Sequence, residues 1–172
     1  ISGWKIESER LERRNHNLFS IHNRMIVGYF RSLSITVAAF IFGGIIGMLS
    51  FLLCALLAKF LLESINYIEH YGLVRERGTP VEMRHSWNSN HLLSSIYLCN
   101  VTRHSDHHRS ASLKFWELHP CHEDAPLLPY GYLSMLYLLL ITPFIYNKMM
   151  AKEFIDWDQN YANDYERNYV MQ

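Results

Sequence analysis

The chain has 172 residues, of which 16 are basic and 16 acidic, so its formal net charge at pH 7 is zero. This balance gives no reason to expect a nucleic-acid partner, because binding to a phosphate backbone requires a clear basic excess. The three cysteines are unevenly spaced and form no CxxC pair, which argues against a disulfide framework or a cysteine zinc site. Histidine is the unusual residue, since the chain has 10, most of them after residue 69.

The first segment mixes charges of both signs with a few apolar side chains. Residues 4–14 place Trp4, Ile6 and Leu11 among basic and acidic neighbours, which is typical of an amphipathic helix lying on a membrane surface. We therefore predict a surface helix within residues 1–20. The sequence begins with no initiator Met and no signal-peptide pattern, so we expect the chain to be a fragment of a longer protein.

A long apolar zone follows over residues 21–70. Its central part, residues 32–58, contains no charged side chain over 27 positions, whereas one bilayer crossing needs about 20 residues. Gly43, Gly44 and Gly47 lie near the middle, where a tight turn would divide the zone into two spans. The alternative is one long tilted helix.

Basic residues flank the apolar zone on both sides. Those before the zone are Lys5, Arg10, Arg13, Arg14, Arg24 and Arg31, and those after it are Arg75, Arg77, Arg84, Arg103 and Arg109. Positive flanks mark the cytoplasmic side, and both ends of the zone reach that side only if the chain crosses twice. The pattern predicts an all-α integral membrane protein with a transmembrane hairpin over residues 21–70.

The remainder of the chain has no further segment long enough to span a bilayer. Residues 71–128 are polar and rich in His and Arg, and we interpret them as a cytoplasmic metal-site region in which residues 90–109 are compatible with one helix. Residues 133–145 are apolar but short and contain Pro143, which favours an interfacial or re-entrant helix. A charged surface helix is predicted after Met149. Residues 129–172 therefore form interfacial and tail helices, and residues 1–172 form a single domain.

The histidine pattern carries the chemistry. His104, His107 and His108 stand at i, i+3 and i+4, so a helix would present all three on one face, where imidazoles suit iron, zinc, copper or nickel. The alternative is a solvated polar face. His70 ends the second predicted span, just before a helix-stopping glycine, and would reach the same membrane depth. Asp106 points away from the histidine face, which favours a supporting or surface role over direct ligation.

A second group of polar side chains lies between these histidines. His85 and His91 are possible ligands by type, but their neighbours Asn88 and Asn90 look more like groups that orient ligands through hydrogen bonds. An ordered polar loop is the alternative for this segment. Residues 119–122 are interpreted as a surface loop, because a proline interrupts the two histidines.

Several ordered motifs together resemble the integral-membrane alkane 1-monooxygenase family of the fatty-acid-desaturase-like superfamily. Residues 66–73 (NYIEHYGL), 85–91 (HSWNSNH) and 103–108 (RHSDHH) match its signatures in order, and residues 4–14 and 123–132 are also similar. The resemblance covers nearly the whole chain.

The resemblance implies a multi-span helical enzyme with two iron ions bound by histidines alone. Such an enzyme inserts one atom of O2 into a terminal methyl group of a hydrocarbon taken from the membrane lipid, using electrons from a rubredoxin-type donor. Carried over by motif, the metal ligands would be His70, His104, His107 and His108. Some of the arginines after the apolar zone would then dock an acidic electron donor, unless they serve only membrane topology.

The chain also departs from the family pattern. Two further histidine boxes, HxxxH and HxxHH, are absent, so the chain holds only part of the ligand set and is either a fragment or a partner of another chain. Thr102 replaces a usual Gln, the segment over residues 109–114 differs, and residues 115–122 are more similar to xylene methyl-group hydroxylases. A desaturase or another lipid hydroxylase, and a non-catalytic histidine-rich metal-binding membrane protein, are the competing interpretations.

Overall fold

The computed structural model describes residues 3–110, 112–121 and 124–170, and all the regular elements in this part of the chain are helical. His122 and Glu123, which belong to segments quoted above, lie outside the described residues. The elements are α1 (Gly3–Glu12), α2 (Arg24–His70), a single 3-10 turn (Met83–His85), α3 (Leu92–Tyr97), α4 (His104–Arg109), α5 (Tyr132–Ile141), α6 (Pro143–Asn160) and α7 (Asp164–Val170). An isolated parallel bridge joins Asn88 and Leu127. The prediction of an all-α fold is confirmed.

The chain divides into two compact units, Ile1–Phe60 and Leu61–Gln172. In the first unit, the buried Glu7 of α1 accepts hydrogen bonds from the Arg10 side chain and, at 2.7 Å, from the backbone N–H of Arg24, where α2 begins. Asn23 caps the same helix end through its side-chain oxygen, which accepts the N–H groups of Met25 and Ile26. The predicted first helix therefore exists, and its acidic side chain anchors it to the start of α2.

Helix α2 is apolar, with a mean hydropathy of 2.5 in its most apolar window, and by length and composition it is long enough to cross a membrane. It is not one straight helix, because Gly44 has φ 61° and ψ −158°. A Cβ added to Gly47 would lie 2.8 Å from the carbonyl oxygen of Ala39, whereas residues eight apart in a straight helix are separated by about 12 Å. Two helical stretches therefore meet at a sharp turn where the sequence has its glycines.

The second unit has a core of aromatic and sulfur-containing side chains. Its fully buried members include Ile68, Trp87, Tyr132, Met135, Tyr146, Met150 and Trp157. The polar ends of the large rings bind backbone carbonyls, as buried Tyr and Trp require. Trp87 Nε1 donates to Tyr71 at 2.8 Å, Tyr132 Oη donates to Trp87 at 2.5 Å, and Trp157 Nε1 donates to Arg84 at 2.7 Å. The core thereby holds the loop that follows α2.

Residues 90–109 do not form the one helix with which their sequence is compatible. The chain leaves α3 after Tyr97, and Cys99 and Asn100 adopt positive φ values of 48° and 59° before α4 begins at His104. The Asn100 N–H closes this turn on the carbonyl of Ser95 at 2.8 Å. Asn tolerates this backbone region better than most residues, and the absence of Gly and Pro therefore did not guarantee a continuous helix.

The carboxy-terminal helices also differ from the prediction. The apolar segment over residues 133–145 is split, because Pro143 is the first residue of α6 and cannot continue the hydrogen bonding of α5. The predicted surface helix after Met149 is the second half of α6 rather than a separate element. It buries Met150 and Trp157 completely, so this part of the chain belongs to the core.

Replacing Gly44 by Ala should destabilise the first unit by about 1–3 kcal/mol, because its φ/ψ pair is accessible essentially only to glycine. Gly43→Ala is the matched control, since a Cβ there has open space and no positive φ is required. This control should be neutral or slightly stabilising. Denaturant unfolding in mild detergent measures both, and equal effects of the two substitutions would contradict the turn.

Candidate metal centre

His70 is the last residue of α2, and its ring is oriented by the loop that follows. Its Nδ1 lies 2.9 Å from the backbone carbonyl oxygen of His85, which can only accept a hydrogen bond. The proton of His70 is therefore on Nδ1, and the lone pair of Nε2 is available to a metal. Gly72 ends the helix with φ 73°, and a Cβ there would lie 3.1 Å from the ring of Phe154. The predicted helix stop is confirmed.

Helix α4 brings two further imidazoles to His70. The ring centroids are 5.2 Å apart for His70 and His104, 5.3 Å for His70 and His108, and 4.4 Å for His104 and His108. One ligand nitrogen from each of these three rings lies within 4.8 Å of the others. The ring of His107 is 5.7 Å from that of His104 and 6.2 Å from that of His108, outside this group.

The start of α4 is held by residues from the preceding loop. Arg103 precedes the helix and provides no side-chain cap. Instead, the Asn88 side-chain oxygen accepts the backbone N–H of Ser105 at 3.0 Å, and Ser105 Oγ binds Ser86 through both the side chain and the carbonyl. These bonds are fully buried. Asn88 thus orients the helix that carries the histidines rather than an imidazole directly.

The other residues singled out from the sequence lie in different surroundings. The buried ring of His85 points to Glu166, with Nε2 2.8 Å from the carboxylate, and not to the three imidazoles. Asp106 is completely buried, and its carboxylate accepts the backbone N–H of His119 and pairs with Arg109, which anchors the following segment. The exposed His91 precedes α3, and Asn90 is half-buried beside it.

Two acidic residues near the centre were not singled out from the sequence. Glu69 is 3% exposed, and its carboxylate lies 3.5 Å from Nδ1 of His104. An ionisable residue at the end of an apolar helix is itself a signal of function, and this signal was available beside His70. Glu166 is equally buried but stands 81 residues after His85 in the chain, so no local pattern could have connected them.

Electrostatics keep the central imidazoles neutral. Burial, followed by repulsion from His108, His70 and His107, lowers the pKa of His104 from 6.5 to about 3. Burial, followed by the coulombic influence of neighbouring groups of which His70 contributes most, lowers the pKa of His108 from 6.5 to about 4. Both rings are therefore unprotonated at neutral pH, which is the form that binds metal.

An unpartnered ring nitrogen of His108 also fits a bound metal ion. Nε2 of His108 is buried and has no hydrogen-bond partner among the described residues. A buried polar nitrogen without a partner costs free energy unless another group satisfies it. A metal ion between three neutral imidazoles would satisfy it, and iron, zinc, copper and nickel all accept such ligands.

The profile of the family described as fatty acid desaturase matches residues 3–139. Alkane 1-monooxygenase 2 of Alcanivorax borkumensis is 40% identical over 158 residues, covering 87% of this chain and 40% of that protein. Alkane 1-monooxygenase 1 of Pseudomonas aeruginosa is 38% identical over 148 residues, covering 83% of this chain and 38% of that protein.

The hydroxylase component of the xylene/toluene monooxygenase of Pseudomonas putida is 31% identical over 169 residues, covering 97% of this chain and 45% of that protein. The chain thus spans about two fifths of the length of the curated relatives it matches. The resemblance to alkane 1-monooxygenases predicted from the ordered motifs is confirmed. With the family profile covering most of its length, the chain belongs to the fatty acid desaturase family.

Proposed function

We propose that the chain forms part of a membrane-embedded di-iron monooxygenase that hydroxylates a terminal methyl group of a hydrocarbon. The observation that carries the proposal is the convergence of His70, His104 and His108, one from the end of an apolar helix and two from α4. The relatives that match most of the chain are named as alkane 1-monooxygenase and as the hydroxylase component of a xylene/toluene monooxygenase.

The ligand count favours a centre completed by residues outside these 172. His70, His104, His107 and His108 are four imidazoles, which is too few to enclose two irons without further donors. Three of them converge, and the ring of His107 lies 5.7 Å from that of His104, so that His107 would be available to a second ion. The relatives are more than twice as long as the part that this chain matches, which leaves room for such donors.

A terminal C–H bond has no polar group that an acid or base can attack, so the chemistry must come from a cofactor. When bound, the irons would supply the activation of O2. The chain's own residues hold the imidazoles neutral, set the tautomer of His70 through the His85 carbonyl, and place the Glu69 carboxylate beside His104. The apolar surface of α2 offers a route by which a hydrocarbon could arrive from the bilayer.

In the proposed topology the two stretches of α2 form a transmembrane hairpin, with the metal centre at its cytoplasmic end. The turn at Gly44 and the basic residues on both flanks support this arrangement. Large apolar side chains such as Phe42 and Leu53, which are 91% and 67% exposed, would contact lipid there rather than water.

A rubredoxin-type donor would dock near Arg75 and Arg77. The other arginines after α2 have partners: Arg84 pairs with Glu166, Arg109 pairs with Asp106, and Arg103 and Arg167 bind the carbonyls of Leu118 and Asp158. Arg75 and Arg77 are exposed. Arg75 donates to the backbone carbonyl of Thr79 at 2.9 Å, but within residues 3–110, 112–121 and 124–170 neither arginine has a carboxylate at ion-pair distance. Together with Tyr165 and Tyr169, they line an open cavity with a volume of about 470 Å³.

The hydrocarbon class has two candidates. Linear alkanes are favoured by the names of most of the relatives, and a methyl group on an aromatic ring is favoured by the xylene/toluene relative, which matches the largest share of the chain. Product analysis of the full-length protein with octane and with xylene separates these candidates, and a new double bond in an acyl chain would instead identify a desaturase.

In the full-length protein, His104→Ala should lower bound iron by at least half and abolish hydroxylation, because it removes a central ligand. The matched control is His16→Ala, an exposed histidine in the first unit, which should retain both. Metal analysis by mass spectrometry and oxygen uptake measure the outcome. Unchanged iron in the His104 variant would reject the ligand assignment, and zinc alone without oxygen uptake would favour a non-catalytic metal-binding protein.

Single-cysteine labelling tests the topology. In a background lacking Cys54, Cys99 and Cys121, a cysteine in place of Asn17 and one in place of Glu76 should both react with an impermeant maleimide from the cytoplasmic face. Both positions are exposed and flank α2 on opposite sides in sequence. A cysteine at Phe42, beside the turn, should be reached only from the other face. Reaction of positions 17 and 76 from opposite faces would reject the hairpin.

Reversing the charge of Arg75 and Arg77 to Glu should lower the donor-dependent turnover about 10-fold at low ionic strength, because charge complementarity accelerates encounter. The defect should shrink in high salt, where the attraction is screened. Lys152→Glu, an exposed charge reversal on α6, is the control and should have little effect. Steady-state kinetics with the purified donor measure this. An unchanged rate and an unchanged salt dependence would exclude these arginines from docking.

A further inference from the structure

We infer that Glu166 is a positioning residue for the metal ligand His70 and acts through His85. The inference rests on the proposed metal centre, and it adds to that centre a buried carboxylate from the last helix of the chain. Two contacts connect the carboxylate to the ligand, and a third set of contacts holds the carboxylate itself; all of them lie within the second compact unit.

The first contact fixes the ligand itself. Nδ1 of His70 donates to the carbonyl oxygen of His85 at 2.9 Å. This bond selects the tautomer of His70 and the plane of its ring, and both determine where Nε2 points. The position of the His85 backbone therefore determines the direction of the ligand nitrogen.

The second contact fixes His85. Its ring lies between two partners, with Nδ1 accepting the backbone N–H of Glu82 at 2.9 Å and Nε2 facing the Glu166 carboxylate at 2.8 Å. The side chains of His85 and Glu166 are 5% and 1% exposed, so water does not compete for either. With both nitrogens held, the ring clamps the turn Met83–His85 in one conformation and places its carbonyl opposite His70.

The third set of contacts fixes Glu166. Its carboxylate accepts the backbone N–H of Asn163 at 2.9 Å, and the Asn163 side chain accepts the N–H of Glu166 at the same distance, which forms a capping box at the start of α7. The guanidinium of Arg84 adds contacts of 3.1–3.4 Å. Burial would raise the pKa of Glu166, but these bonds from His85, Asn163 and Arg84 outweigh it and lower the pKa.

Glu166 has a structural role as well, because it caps α7 and pairs with Arg84. A purely structural role predicts only that its loss loosens the carboxy-terminal helices. A positioning role predicts in addition that the metal is held less tightly at equal protein stability. The two roles are therefore separated by measuring iron release and thermal unfolding on the same variants.

The experiment uses the full-length iron-loaded protein in detergent and follows release of iron to a ferrous chelator. Glu166→Ala should speed release about 10-fold, as loss of a partner behind a metal-binding histidine typically does. Glu166→Gln keeps an acceptor for the His85 N–H and should stay within about 3-fold of the native rate. Glu166→Asp withdraws the carboxylate from the 2.8 Å contact while keeping its charge, and should speed release even if the Ala variant does not fold.

Two controls decide between the roles. Asp164→Asn changes a 99%-exposed carboxylate on the same helix and should leave the release rate unchanged. Trp157→Phe removes the 2.7 Å bond from α6 to the Arg84 carbonyl, which loosens the same turn while leaving both hydrogen bonds of the His85 ring in place. If the two variants lower the melting temperature by the same amount, Trp157→Phe should release iron more slowly than Glu166→Ala.

The outcomes are distinguishable from failure of the metal centre. If His104→Ala leaves the iron content unchanged, the proposed centre is wrong. If His104→Ala removes iron but Glu166→Ala and Glu166→Asp release it at the native rate, the centre stands and the positioning role is wrong. If Trp157→Phe speeds iron release as much as Glu166→Ala does at the same melting temperature, Glu166 has only a structural role and the inference is overturned.

Discussion

Residues 85–89 form a loop outside the α-helices, yet all five are buried. Their backbone N–H and C=O groups must therefore find hydrogen-bond partners in other segments of the chain. The amides of Trp87, Asn88 and Ser89 donate to the carbonyls of Glu69, Pro126 and Thr102. Four carbonyls of the segment are satisfied in turn, at His85 by the His70 ring, at Ser86 by Ser105, at Trp87 by Tyr132 and at Asn88 by Leu128. The end of α2, the start of α4 and the start of α5 are thus joined through one buried loop.

This arrangement explains how His104 and His108 are positioned although the helix that carries them is short. Helix α4 has six residues and would be unstable alone in water, since short isolated helices gain too few hydrogen bonds to offset nucleation. Asn88 and Ser86 hold its first turn, and Asp106 fastens its other face to His119. His104 and His108 therefore approach His70 because the loop orders the helix, rather than because the helix is intrinsically stable.

The same loop also helps to exclude water from the three imidazoles. Because the surroundings of His104 and His108 are buried, both imidazoles stay neutral and keep their lone pairs for a metal ion. The aromatic core below the loop, with Trp87 and Tyr132 fully buried, prevents water from replacing these contacts. Such surroundings would suit the proposed hydroxylation, because the cofactor supplies the reactivity toward a C–H bond while the protein contributes geometry and the exclusion of water.

The sequence by itself determined the helical class, the turn among the glycines of α2, the family, and the shared face of His104 and His108. These features are local: hydropathy follows composition, and i and i+4 positions of any helix share a face. Tertiary structure decided that His107, at i+3, lies outside the group. The position of His70 determines which histidines of α4 it meets, and α4 alone does not.

Tertiary structure alone decided the break between α3 and α4, the direction of the His85 ring and the burial of Asp106. Each depends on a partner distant in the chain, such as Glu166 for His85, or on a turn closed by backbone bonds that no residue type demanded. The buried loop selects these partners because an unsatisfied polar group inside the core costs more free energy than a hydrogen bond returns. A pattern in the sequence can name the residues of such a loop, but only the folded chain assigns each donor to its acceptor.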